Sequence, residues 1–118
     1  MKLAGVMINS EQPAVVAAFY TKFLGEPGWQ EGEWFGYDAG ASLMVGPHSE
    51  VKGKNTTPGR IMVSFNSDTV EADFARLKEY GGEVIAEPYH PTGDETMWLA
   101  TIADPDGNYI QLSSPWKE

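Results

Sequence analysis

One pattern is written twice along this chain, and the repetition restricts its possible folds more than any other feature. The first copy opens with a strand candidate, Leu3 to Asn9, in which Leu3, Gly5, Met7 and Asn9 alternate with Ala4, Val6 and Ile8. A helix is expected over Pro13–Leu24: a proline suits its first turn, Gly25 can take the left-handed backbone that ends it, and Val16, Phe19, Tyr20, Phe23 and Leu24 share one face. From Gly28 to Gly46 the chain then reads as short antiparallel strands. Glu33–Asp38 and Ala41–Val45 are the clearer ones, joined by the turn Tyr37-Asp38-Ala39-Gly40.

The polar stretch from His48 to Gly59 reads as a connecting loop, after which the order repeats. Arg60–Asn66 is a strand candidate. Asp68 opens a second helix, with Glu71 three residues on as in a capping box, Val70, Phe74 and Leu77 as its buried stripe, and Gly81-Gly82 as its end. Strands are expected at Glu83–Glu87, Thr96–Ile102 and Asn108–Ser113. The sequence thus predicts an α+β domain of two tandem βαβββ modules: module one over about 1–47, a linker over 48–59 and module two over 60–118. One such module alone leaves a sheet face uncovered. Pairing the two as a curved mixed sheet around a cleft buries those faces and leaves a concavity of the kind that holds small molecules.

Composition narrows the chemistry. The 118 residues suit a single domain, and the absence of cysteine removes disulfides, thiolate nucleophiles and thiolate-bound metals. A formal charge of −9, from 17 acidic and 8 basic residues, repels phosphate backbones, so no nucleic acid partner is expected. The acidity favours a cationic ligand, or serves solubility alone. No apolar run is long enough to span a membrane and the N-terminus carries no apolar leader, which makes a cytoplasmic protein without a membrane partner the expectation.

Two segments carry a family resemblance. Ala103-Asp104-Pro105-Asp106-Gly107-Asn108-Tyr109-Ile110-Gln111-Leu112 is a turn followed by a closing strand, and Ala18-Phe19-Tyr20-Thr21-Lys22-Phe23-Leu24-Gly25 is a helix end of the form F-Y-x-x-x-L-G. Together with the repeated βαβββ order they make the chain resemble the vicinal oxygen chelate superfamily of glyoxalases, bleomycin resistance proteins and extradiol dioxygenases. The resemblance implies the glyoxalase/bleomycin resistance fold and a homodimer. Metal-dependent relatives place His, Glu or Gln on the first and last strand of each module, leaving open positions on a divalent ion for substrate oxygens. By resemblance those positions fall near Gly5, Met44, Arg60 and Gln111. Glycine, a thioether, a cation and one neutral amide do not hold such an ion, so neither metal nor cofactor is expected. His48 and His90 lie in loop segments and read as exposed.

Without a metal, the resemblance implies relatives that bind and sequester a small organic molecule, in the manner of the bleomycin resistance proteins. Trp34, Phe35, Tyr37, Trp98 and Tyr109 could stack on an aromatic, amphipathic or cationic ligand, with Trp29, Tyr89 and Trp116 as further rings; each could equally pack in a core or an interface. Arg60 could clamp a carboxylate or phosphate or could simply pair at a strand end. Ser42 and Gln111 could hydrogen-bond a ligand, and Met44 could give it an adaptable apolar contact. The alternative is a lyase, isomerase or dioxygenase-like enzyme of the same superfamily holding its metal through other ligands. Glu33, Asp38, Glu87 and Glu95 are candidate general bases, but the sequence selects none of them. A third class is a protein-binding module on the same fold.

Overall fold

The computed structural model describes residues 1–115, and Trp116 lies outside them. Two βαβββ modules follow one another: β1 (Gly5–Asn9), α1 (Pro13–Leu24), β2 (Trp29–Glu31), β3 (Trp34–Asp38) and β4 (Ser42–Gly46), then β5 (Val63–Asn66), α2 (Val70–Glu79), β6 (Glu83–Tyr89), β7 (Leu99–Ala103) and β8 (Tyr109–Ser113). They form two compact units, Met1–Gly53 and a second that begins at Lys54. Each unit holds a four-stranded mixed sheet, ordered β1-β4-β3-β2 in the first and β5-β8-β7-β6 in the second. The fold is α+β, with the two tandem βαβββ modules that the sequence predicts.

In the first unit β1 runs parallel to β4, while β3 runs antiparallel to both β4 and β2. Residues directly opposite share a face, so the register sorts every side chain. Ile8, Phe35, Tyr37, Leu43 and Val45 point to the side of α1, whose Val16, Ala17, Phe19 and Tyr20 are buried. Three of these, Val16, Tyr20 and Val45, are fully excluded from solvent. Burial of an aliphatic or aromatic side chain of that size contributes about 1.5–3 kcal/mol. The Tyr37 hydroxyl crosses to the helix, donating to the Ala17 carbonyl at 2.9 Å and lying 2.9 Å from Thr21 Oγ1.

The second unit repeats the scheme with Phe74 and Leu77 of α2 and with Ile102, Ile110 and Leu112 of the sheet in its core. Its helix ends as the sequence predicts: Gly81 takes φ 103° and the Gly82 N–H donates to the Leu77 carbonyl at 3.0 Å. The start differs. No capping box forms at Asp68 and Glu71; Thr69 is the N-cap position and makes no side-chain cap bond. Ser67 takes that part, its Oγ accepting the Thr69 N–H at 2.9 Å and donating to Asp73 Oδ2. Asp68 is exposed, whereas Ser67, at the buried end of its strand, stands where a short hydroxyl reaches the first turn.

The same device stands in the first unit, where Ser10 Oγ accepts the Gln12 N–H at 2.9 Å. The backbone N–H of Ser10 donates to the Gly46 carbonyl and that of Ser67 to the Ser113 carbonyl, at 2.9 and 2.8 Å. Two serines in the same place therefore align the modules residue by residue. The strand expected at Arg60–Asn66 starts only at Val63, and Arg60 lies in an exposed turn. The strand expected from Thr96 starts at Leu99, because Asp94 Oδ1 accepts the Thr96 N–H and the Asp94 carbonyl accepts the Met97 N–H in a turn of their own. Among the described residues no helix is long and apolar enough to cross a membrane.

Candidate functional site

The face of the first sheet turned away from α1 carries the candidate site. Its register forms three rows: Asp38–Ser42–Gly5, Trp29–Gly36–Met44–Met7 and Glu31–Trp34–Gly46–Asn9. Two glycines on this face act as seats for indole rings. A Cβ at Gly36 would stand 3.4 Å from Trp29 Cε3, and a Cβ at Gly46 would overlap the six-membered ring of Trp34. Trp34 buries Gly46 in this way, while Trp29 remains 46% exposed, so one indole is packing and the other is available.

A cavity of about 610 Å³ opens on the same face, a volume in the range of small-molecule sites. Trp29 and Gly36 border it from the β2–β3 hairpin, Asp38, Gly40 and Ala41 from the following turn, and Ser42 and Met44 from β4. The turn is ordered by the carboxylate it contributes: Asp38 Oδ1 accepts the Gly40 N–H at 3.1 Å, and Gly40 has φ 90°. No residue of β1 borders the cavity, which lies toward the hairpin edge of the sheet.

The residues expected from the sequence separate clearly. Ser42, Met44 and Tyr37 border the cavity, although the Tyr37 hydroxyl is engaged by the helix on the other face. Burial pushes the Tyr37 phenol above its ordinary pKa, the hydrogen bond to Thr21 opposes this, and the charge of Glu26 adds to it. Trp34 shares the cavity face but rests on Gly46, and Phe35 shares the helix face with Tyr37 and Val45. Arg60, Trp98, Tyr109 and Gln111 belong to the second unit. There Gln111 lies between Ser64 and Thr101 in the sheet, Tyr109 pairs with Ala103, and Trp98 packs on His90 with ring centroids 4.0 Å apart. Trp29, which the sequence offered only as a further stacking ring, and Asp38, which it offered only as a candidate general base, both border the cavity. The signal that unites Trp29 with its seat is Gly36, a glycine inside a strand that marks where another group comes close.

The serine alignment also tests the metal positions. The residue five before Ser10 is Gly5 and the residue five before Ser67 is Met62, so Met62 is the equivalent of Gly5 in the second module, and Arg60 is the equivalent of Leu3. Beside Met44 and Gln111, the first strands therefore offer either Gly5 and Met62 or Leu3 and Arg60, and neither pair adds a ligand for a metal. This donor set does not fit a divalent ion. Gly5 is closed further by the backbone, since a Cβ there would stand 2.6 Å from the Ser42 carbonyl oxygen. Among the described residues no three His, Asp or Glu side chains gather as a metal site. His48 and His90 are exposed, as are Glu33, Asp38, Glu87 and Glu95, so none of these carboxylates has the desolvated setting of a general base.

A family model described as a glyoxalase-like domain matches residues 5–113. The chain belongs to the glyoxalase-like domain family. Solved structures agree on the fold of this glyoxalase-like domain. A glyoxalase-related enzyme from Fulvimarina pelagi superposes with a TM-score of 0.80 at 20% identity, over 98% of this chain and 88% of that one. A glyoxalase/bleomycin resistance protein/dioxygenase family enzyme from Burkholderia phytofirmans PsJN gives 0.73 at 21%, over 97% and 98%. The fosfomycin resistance protein FosX from Listeria monocytogenes gives 0.74 at 14%, over 98% and 94%. No curated protein sequence matches the domain.

Proposed function

We propose that this glyoxalase-like domain binds or sequesters a small aromatic, amphipathic or cationic organic molecule without a metal, as a cytoplasmic homodimer serving resistance to an antibiotic or a toxic metabolite. The observation that carries this reading is the cavity beside Trp29 and Met44, on a sheet where the resemblance puts the metal positions near Gly5 and Met44. An apolar cavity with one exposed indole and few polar groups favours binding a ring by stacking and shape over polarising a substrate oxygen. The likeness to a fosfomycin resistance protein supports the resistance role.

The runner-up is a metal-dependent lyase, isomerase or dioxygenase-like enzyme, supported by the likeness to a glyoxalase-related enzyme. Elemental analysis of the purified protein and calorimetric titration with Zn²⁺, Ni²⁺ and Mn²⁺ separate the two. The binding reading expects no stoichiometric metal, together with saturable heat from aromatic compounds in the presence of a chelator. Tight one-to-one metal binding with turnover of a superfamily substrate overturns it.

A further inference from the structure

The cavity face of the first sheet has a one-sided charge pattern. Its three rows carry the carboxylates Glu31 and Asp38 and no Lys or Arg. Of the two, Asp38 borders the cavity, and its orientation is fixed because Oδ1 takes the Gly40 N–H. Its Oδ2 has no partner among the described residues. In the adjacent row, the Trp29 indole is backed by Gly36 and half exposed, and the flexible Met44 side chain lies beside Gly36 on the neighbouring strand. Tryptophan presents the most favourable aromatic face to a cation, and a thioether packs well against ring edges.

We infer that the cavity selects a planar aromatic cation, its ring against Trp29 and Met44 and its positive charge beside Asp38. This deepens the binding reading above and rests on it. A carboxylate or phosphate ligand would face the like charge of Asp38 at the cavity border, with no cation on the same sheet face to offset it. A neutral ring would gain the stacking and leave Asp38 unused. The protein's formal charge of −9 adds a long-range attraction of the same sign preference.

The test is calorimetric titration of the full chain with three probes of one shape: N-methylquinolinium, quinoline and a quinoline carboxylate. The expected order is cation tighter than neutral by about tenfold, with the carboxylate weakest. Asp38→Asn keeps an oxygen for the Gly40 N–H, and is expected to weaken the cation by about threefold while leaving quinoline unchanged. Trp29→Ala should weaken both. Trp29→Leu retains apolar bulk without the π face, and should reduce the cation's advantage even if the alanine variant folds poorly. Equal binding of the cation and quinoline leaves the binding reading intact and overturns this inference, as does an Asp38→Asn variant that weakens both probes alike. Binding of none of the three overturns both.

Discussion

The six-membered ring of Trp34 occupies the space above Gly46 that any larger residue's Cβ would need. Gly46→Ala therefore forces the indole or the strand to move, with an expected loss of about 1–3 kcal/mol. The same substitution in a Trp34→Ala background should cost much less, because the obstruction is gone. Urea denaturation of the two single variants and the double variant gives the coupling directly. An equal cost of Gly46→Ala in both backgrounds would show that the contact does not constrain the sheet.

Tyr37→Phe removes the hydroxyl that ties β3 to α1 through Ala17 and Thr21. The expected cost at neutral pH is about 1 kcal/mol. Its pH dependence is more diagnostic. Burial raises the folded phenol above its ordinary value of 10.0, so the neutral form's contribution is complete below that value and is lost as pH rises toward the folded one. Urea midpoints measured from neutral pH to pH values above the ordinary phenol range should fall less steeply for Tyr37→Phe than for the parent.

Asp73 fastens the start of α2 through Ser67, Thr69 and Arg76. Its burial alone would raise the carboxyl's pKa; hydrogen bonds from Ser67 and Arg76, the Arg76 charge and the Thr69 hydroxyl outweigh that, and the net direction is downward from 3.8. The stabilisation is therefore present above the ordinary carboxylate value and is lost as pH falls through the lower folded one. Asp73→Asn should cost about 1 kcal/mol near neutrality. The gap to the parent should close in acid, and a gap that persists unchanged in strong acid would refute the assignment.

Divalent ions offer a separate check. Zn²⁺, Ni²⁺ or Mn²⁺ in about tenfold excess should leave the melting temperature within about 1 °C, since only an ion that binds the folded state raises it. Differential scanning fluorimetry with and without a chelator makes the comparison, and a rise of several degrees with one ion would point to donors other than Gly5, Met44, Arg60, Met62 and Gln111.

The architecture was readable from the chain because its punctuation is local. Pro13 and Gly25 bracket α1, Gly81 ends α2 with a positive φ, and the apolar stripes of both helices fall where the core is. Strand ends were less readable because a strand exists only where its neighbour does. Residues 60–62 fall outside β5, which pairs with β8 only from Val63 opposite Ile110, and β8 itself follows the turn held by Asp104, whose Oδ1 accepts the Asp106 and Asn108 N–H groups.

The site was harder still. Along β3 both alternating sets are aromatic, with Trp34 on one and Phe35 and Tyr37 on the other, so hydrophobicity cannot choose which set meets the helix. The hydroxyl bond from Tyr37 to Ala17 decides it, and that bond spans 20 residues of sequence. Trp29 was named only as one ring among several, because its worth depends on lying opposite Gly36 across a hairpin.

The close approach of the Ser42 carbonyl to Gly5 has a consequence for how this branch of the superfamily can change. No side chain can be introduced there by a single codon change without strain, because its first carbon meets main-chain oxygen. Any larger residue would require the two parallel strands to respace first, which holds that position at glycine through subsequent drift whatever the cavity binds.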